Sequence, residues 1–428
     1  MKRLVFILFL ATYCVCIQAQ FTLDECHELA RENYPLIKQY GLIEQSTEYS
    51  VSNAAKAYLP QASFVAQAIY QSDVATFPEA MTNAYNQMGI DMKGLNKDQY
   101  KVALEVSQTI WDGGLTRAQK NISTAEGQVS SQSVETEMYA LRERVNQLYF
   151  GILVLDEQLR QNELLQALLR SNHNTVEAYF NNGVAMQSDL DAIKAEQLSV
   201  SQQRIQIEGA SDAYRRMLSV MTGRVFGNSE TFGKPTATVD NLFEHNNRPE
   251  VLLFSAQAAQ FEAQKRSVIA STMPRLGVFA QGFYGNPGLN LFKDMTEDRW
   301  TWNYIVGLRL QWNLGSFYTK KGTLRKLELA QQQVHSRRET FIFNSNIQLT
   351  RQMKEADNMR EVMVNDDEII RLRISVRQAS EAKYINGTIT VNDLLRDITT
   401  ESQARLNRSL HELEWLKRIY ELKHTVNN

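Results

Sequence analysis

The chain has 428 residues, 43% of them apolar and 22% charged, enough for two or more folded domains. Its formal charge of −2 gives no electrostatic reason to expect nucleic acid. A mean hydropathy of −0.37 argues against a helical membrane protein but not against one built of strands, whose alternation leaves a weak hydropathy trace.

The N-terminus, MKRLVFILFLATYCVCIQAQ, puts Lys2 and Arg3 ahead of an apolar run from Leu4 to Ile17 and a small residue at Ala19. That order predicts a secretory signal peptide over residues 1–19, and hence export. Cys14 and Cys16 lack the preceding small residue that lipoprotein processing wants. Only Cys26 follows them, so no intrachain disulfide is expected. No later run of about eighteen apolar residues exists, so any membrane contact has to come from strands.

Prolines at 35, 60, 78, 235, 249, 274 and 287 leave two long stretches without one. A proline inside a helix costs about 3 kcal/mol, so those stretches are where uninterrupted helices can run. In chain order, a helix is expected over 36–58, then a strand, ASFVAQAIY, over 62–70. A polar loop leads to a second strand, VALEVSQTI, over 102–110. A single helix of about 67 residues follows from Leu115, about 100 Å long at about 1.5 Å per residue. Its Met138, Leu141, Val145, Leu148, Ile152, Leu155 and Leu159 recur at spacings of 3 and 4, a coiled-coil seam. Asn182-Gly183 breaks this helix, and the chain returns as a helix to Met221. A linker is expected over 224–246; its GNSETFGKP echoes a phosphate-binding loop but has the wrong glycine spacing and ends in Pro.

The second half repeats the first. Asn33, Pro35, Pro60, Ala66, Gln67 and Tyr70 recur as Asn247, Pro249, Pro274, Ala280, Gln281 and Tyr284, at an offset of 214. Val102, Leu104, Val106 and Ile110 match Val306, Leu308, Leu310 and Leu314 at an offset of 204. Asn182, Gly183 and Asp189 match Asn386, Gly387 and Asp393 at the same offset. Register held over about 190 residues with one gap marks an internal duplication. The first repeat is expected over 20–223 and the second over 247–428. The second has a helix over 250–272, strands over 276–284 and 306–314, and a long helix whose Val362, Ile369, Leu372, Val376 and Ala379 continue the seam.

The alternating strands put Val102, Leu104, Val106 and Ile110 on one face, and Val306, Leu308, Leu310, Trp312 and Leu314 on one face of their counterpart. Glu105, Arg309 and Gln311 fall on the opposite faces. Period two over about 9–11 residues suits a strand that crosses an outer membrane. The aromatic residues Tyr100, Trp111, Trp300, Trp302 and Tyr304 crowd the strand ends as an interfacial belt would. The alternative is a half-exposed sheet of a soluble domain, but no globular core is as long as these helices. Four strands cannot close a barrel; eight from two chains would be filled by side chains, and twelve from three would leave a duct. The Asn-Gly breaks then become hairpin tips remote from the membrane. No catalytic, cofactor or metal site is expected: His27-Glu28 and His411-Glu412 each lack the second His of a zinc motif.

The signal peptide, FTLDECHELARENYP, an LP before a strand, WDGG after one, and two NG-x5-D hairpins occur in an order that resembles the outer membrane efflux protein (TolC-like) family. The resemblance covers the whole mature chain. It implies a mixed α and transmembrane β fold: a long α-helical coiled-coil barrel plus a trimeric 12-stranded outer-membrane β-barrel with four strands per chain. It also implies a homotrimer in the outer membrane of a Gram-negative bacterium, with a large periplasmic extension. Its partners would be outer-membrane lipid, a periplasmic adaptor (membrane fusion protein) and an inner-membrane transporter of the RND or ABC type. The function implied is passive export, of small molecules first and of proteins by type I secretion second. The rival is a non-conducting periplasmic coiled-coil scaffold. By resemblance, Tyr384 and Asp393 match aperture residues; the family archetype's second aspartate falls at Arg396 and its arginine at Ile389. Asn182, Gly183, Asp189, Asn386 and Gly387 would form the tips on which the adaptor docks. Thr390-x-x-Asp393 also reads as a capping-box variant, a role compatible with facing a lumen.

Overall fold

The computed structural model describes residues 20–91, 93–228, 230–236 and 247–427. The expected signal peptide, 1–19, and residues 229 and 237–246 of the expected linker lie outside the described residues.

The first half runs α1 (Leu23–Asn33), α2 (Lys38–Ala55), β1 (Gln61–Tyr70), α3 (Glu79–Gln87), β2 (Asp98–Trp111), α4 (Leu115–Asn181) and α5 (Gln187–Thr222). The second runs α6 (Pro249–Ser271), β3 (Arg275–Asn286), α7 (Leu291–Thr296), β4 (Thr301–Gln311), α8 (Ser316–Ile385) and α9 (Val391–Val426). The long helices have 67 and 70 residues, as the proline-free stretches require. The helix expected over 36–58 is shorter, because 3-10 turns at Pro35–Ile37 and Lys56–Tyr58 flank α2. Among the described residues, no helix is long and apolar enough to cross a membrane.

Two compact units divide the chain, and each draws on both repeats. One comprises residues 41–131 and 254–336 and holds a four-stranded antiparallel sheet in the order β1-β2-β3-β4. Val102 pairs with Ala66, and Val306 with Ala280, so the strands hold the register of the duplication. The expected equivalence of Ile110 and Leu314 in the two repeats does not hold. Ile110 sits at a bulge between Thr109 and Trp111, while β4 stops at Gln311, leaving Trp312 and Leu314 outside it. There the indole N–H of Trp312 donates to the Thr272 carbonyl at 3.0 Å, and a turn from Asn313 starts α8. Trp111-Asp112-Gly113-Gly114 therefore aligns with Trp312-Asn313-Leu314-Gly315, and α8 carries the extra residues within its helix.

The WDGG motif has a mechanical role. Buried Asp112 accepts hydrogen bonds from the backbone N–H of Gly114 (2.9 Å) and Thr116 (2.6 Å) and from the Tyr58 hydroxyl (2.8 Å). It thereby satisfies donors that the start of α4 leaves orphaned. Burial pushes its carboxyl up, but these hydrogen bonds outweigh that and hold it down at about 2. Gly113 has φ +69 and lies where a Cβ would run into Met273 at 2.3 Å, so the residue has to be glycine.

The other unit comprises residues up to 40, 132–253 and 337–428 and is helical. Its largest core gathers Leu23, Cys26, Val145, Tyr149, Ile152, Leu218 and Leu413. The segment before α1 is pinned to the segment after α5: Phe21 N–H donates to the Thr231 carbonyl (3.1 Å), and Gly233 N–H to that of Phe21 (3.0 Å). Arg215, 3% exposed, grips Asp156 with two bonds of 2.8 Å and donates to the carbonyls of Gly227 and Glu230. Gly227 and Glu230 of the phosphate-loop echo are thus held through their carbonyls by a cation, the reverse of an anion cradle. The two seams differ. Met138, Leu141, Val145 and Ile152 are buried, whereas Val362, Ile369, Leu372 and Val376 on α8 are exposed on this chain.

Candidate membrane-facing sheet and hairpin tips

Cross-strand partners share a face, so the register assigns every strand residue to one of two sides. One side carries Phe64 on β1, Val102 and Leu104 on β2, Val278 on β3, and Val306, Leu308 and Leu310 on β4. Those of β4 are 69–70% exposed, an open apolar surface. Among the described strand residues of this side, the only charge is Asp98, the first residue of β2. Tyr70, Tyr100, Tyr284, Trp302 and Tyr304 cluster on it at the loop end, with Tyr284 and Trp302 rings 5.1 Å apart. Trp111, Trp312, Phe317 and Tyr318 stand exposed at the helix end. From Trp302 to Gln311, the end of β4, is about 31 Å of strand, or about 23 Å at a barrel strand's tilt, close to the height of an outer-membrane apolar band.

The opposite side is polar and interconnected. The Lys101 amine donates to the Gln281 side-chain oxygen (3.0 Å) and lies 4.3 Å from the Phe283 ring centroid. The Gln281 amide reaches Glu105 at 3.5 Å, and Glu105 pairs with Arg309 at 3.5 Å. The Arg309 guanidinium stacks on Phe279, 4.5 Å from its centroid. Phe279 lies flat because its cross-strand partner is Gly307, where a Cβ would come within 2.9 Å of the ring. Sequence alternation alone placed Glu105 and Arg309 on the polar faces of their own strands but missed Lys101, Phe279 and Phe283. The parity of β3, with Phe279, Gln281 and Phe283 at alternate positions, was the available signal.

The hairpin tips lie in the helical unit and are built alike. Gly183 has φ +76 and Gly387 has φ +70, whereas Asn182 and Asn386 keep ordinary negative φ. The Asn-Gly pair is therefore not the two-residue turn with two positive φ values that the dipeptide favours between strands. Gly183 N–H donates to the Phe180 carbonyl (2.9 Å) and Val184 N–H to that of Tyr179 (2.8 Å). Gly387 and Thr388 repeat this onto Tyr384 and Lys383 at 2.9 and 3.0 Å. These are Schellman caps that end α4 and α8. The Asn182 and Asn386 amides each donate to the carbonyl four residues back, Ala178 (2.9 Å) and Ala382 (2.8 Å). Three residues past each glycine comes the next N-cap, and three more bring its aspartate. Asp189 accepts from Met186 N–H (2.9 Å), and Asp393 from Thr390 N–H (3.2 Å) and the Thr390 hydroxyl (2.7 Å). The NG-x5-D spacing is thus a helix stop followed by a helix start.

Tyr384 is half-buried against a core of Leu169, Val176, Ile193, Val391, Leu394 and Ile398, which joins the two hairpins. Its ring lies 6.3 Å from that of Tyr179. Burial, then the charge of Asp189, pushes its hydroxyl up. The Arg396 guanidinium lies 3.5 Å from Asp393 and 3.9 Å from Asp397. Hydrogen bonds from Thr390 hold the exposed Asp393 carboxyl below its ordinary range, with a smaller contribution from Arg396. Ile389 packs on the tip core. His27 bonds Asn146 and His411 pairs with Asp366, and no metal-binding cluster occurs among the described residues.

Residues 27–224 match the family model described as outer membrane efflux protein. No curated protein matches the chain by sequence. The solved structure of the outer membrane protein VceC from Vibrio cholerae is 13% identical, with 95% of this chain and 96% of that chain covered and a TM-score of 0.68. The CmeC outer membrane channel of Campylobacter jejuni is 14% identical, with 94% and 85% covered and a TM-score of 0.62. The open-state MtrE outer membrane channel of Neisseria gonorrhoeae is 14% identical, with 95% and 89% covered and a TM-score of 0.64. At such identities the likeness is one of fold.

Proposed function

We propose that the chain belongs to the outer membrane efflux protein family, whose model matches residues 27–224, and that three copies form a passive export duct. In this reading each chain gives four strands to a twelve-stranded barrel in the outer membrane, and the helices form a tunnel in the periplasm. The observation that carries it is the two-sided sheet. One side is apolar, exposed and charge-free but for Asp98 at a strand end, and the other is polar and ion-paired. Lipid outside and water inside is the setting that such a sheet fits. β1 and β4 are the edges of the sheet, and closure with neighbouring copies would pair them. The exposed seam of α8 offers the helices a matching contact. A non-conducting scaffold would leave the apolar side uncovered.

Small-molecule efflux is the first reading of the cargo and protein secretion the second. A periplasmic adaptor would dock on the tips around Gly183 and Gly387, and an inner-membrane RND or ABC transporter would supply energy. Tyr384, Asp393 and Arg396 would ring the aperture, with Arg396 offsetting Asp393. Block by multivalent cations is then weak in the wild type and strengthened by Arg396→Asp; equal block in both would place these side chains away from the narrowest point.

The topology is tested by single cysteines in the connections at residues 71–97 and 287–300, exposed to an impermeant thiol reagent on intact cells. Labelling from outside is expected, together with trimers in the outer-membrane fraction. Labelling only after the periplasm is opened would overturn the reading.

A further inference from the structure

The polar side of the sheet carries more than polarity. Among the described residues of the four strands, its charged positions are Lys101, Glu105, Arg275 and Arg309, three cations against one carboxylate. The carboxylate is engaged, since Glu105 pairs with Arg309. Lys101 is held by neutral partners, the Gln281 amide and the Phe283 ring, so its charge is positioned without being cancelled. Arg275 begins β3 at the helix end, opposite Gln311, while Lys101 lies towards the loop end, opposite Gly285. The cations are therefore spread along the strands. Arg309 is also fixed in place, stacked on Phe279, which the missing side chain of Gly307 allows to lie flat.

We propose that the barrel interior is an anion-favouring filter, tuned to pass solutes of net negative charge such as organic carboxylates and phosphates. This rests on the reading that the polar side lines a lumen. Three copies would then place a surplus of six positive charges around one water-filled passage walled by low-dielectric strands and lipid. Such walls focus the field of fixed charges and raise the local concentration of the opposite ion. A Debye length of about 8 Å at physiological ionic strength leaves ions in a narrow duct within reach of its walls. Because the charged side chains do not face lipid, altering them should change selectivity without costing assembly.

The test is the reversal potential of purified trimers in planar bilayers across a potassium chloride gradient. The wild type should give a chloride-to-potassium permeability ratio above one. The double variant Lys101→Glu, Arg275→Glu turns the surplus of two positive charges per chain into an excess of two negative ones, and its ratio should fall below one. Both substitutions leave the Glu105–Arg309 pair and the tips untouched, so the barrel alone is probed. A wild type that prefers potassium, or a double variant that conducts with an unchanged reversal potential, would overturn the filter while leaving the duct intact. Assembled wild-type trimers that pass no current would overturn the duct, and the filter with it.

Discussion

The sheet and the hairpin tips are both duplicated, but different things are repeated in them. At the tips the backbone is copied: a glycine in the left-handed region, an N-cap three residues on, and an aspartate after three more. The side chains around it have diverged, with Met186, Gln187 and Ala192 standing where the second tip has Thr390, Val391 and Arg396. In the sheet it is the division into two sides that recurs, while the residues carrying charge differ from strand to strand. A repeated motif such as NG-x5-D thus records what the helices need in order to stop and restart. The alternation of a strand records what surrounds it, and so says more about function.

The largest effect that separates the two regions should come from a charge on the apolar side of the sheet. Leu308→Arg is expected to cost about 2–4 kcal/mol per chain if it reaches the bilayer midplane, and to abolish heat-dissociable trimers in outer-membrane fractions. Ser107→Arg, on the polar side, should retain them. Equal loss in both would erase the distinction between the sides.

Where sheet meets helix, Asp112→Ala should cost about 1–2 kcal/mol through the lost cap of α4. Because the folded carboxyl sits at about 2, below its ordinary value of 3.8, its contribution is present above that value and is lost as pH falls through about 2. Amide protection at Gly114 and Thr116 should therefore decline on acidification in the wild type and be low throughout in the variant. Protection that ignores both pH and the substitution would show that Asp112 does not hold this turn.

At the tips, Gly183→Ala and Gly387→Ala should each cost about 1 kcal/mol, the strain of a left-handed L-residue. No heavy atom lies within 4 Å of either added Cβ, so the two costs should match. Rates of protease nicking at the two turns would read this, and a rise at one tip alone would break their equivalence.

The smallest expected effects would sharpen the contrast between the tips. Thr390→Val should lose about 1 kcal/mol of capping, and Met186→Thr should gain about half as much by completing the box that Asp189 already half forms. Amide exchange at residues 189 and 393 would report both. A Met186→Thr variant whose tip exchanges no more slowly would mean that the first tip is limited by something other than its cap.

Much of this was legible in the sequence. Proline-free stretches and the Asn-Gly pairs bounded the long helices closely, because a helix interior tolerates neither feature. The apolar, exposed positions of β2 and β4 followed from period two. What was not legible needed partners. Asn-Gly serves a two-residue turn and a Schellman cap equally well, and only the negative φ of the asparagines decides between them. Trp312 and Leu314 keep the parity of β4, yet the strand yields there to the turn that starts α8. The chain from Lys101 through Gln281 and Glu105 to Arg309 crosses three strands, so no single stretch of sequence contains it. The seam of α8 looked like that of α4, but on this chain it is exposed where that of α4 is buried.

One side of this sheet should meet lipid and the other water, and a cysteine scan along β4 would tell the two sides apart. Single cysteines at 302 to 310, omitting Gly307, would be probed in outer membranes with a water-soluble thiol reagent and a lipid-phase quencher of an attached fluorophore. Cys26 should stay silent, being buried with its thiol pushed up to about 12 by desolvation. Positions 304, 306, 308 and 310 should resist the reagent and be quenched from the lipid, while 303, 305 and 309 should react and escape quenching. Uniform reaction from water at all positions, with no quenching from lipid, would make this a half-exposed sheet of a soluble domain and contradict the account.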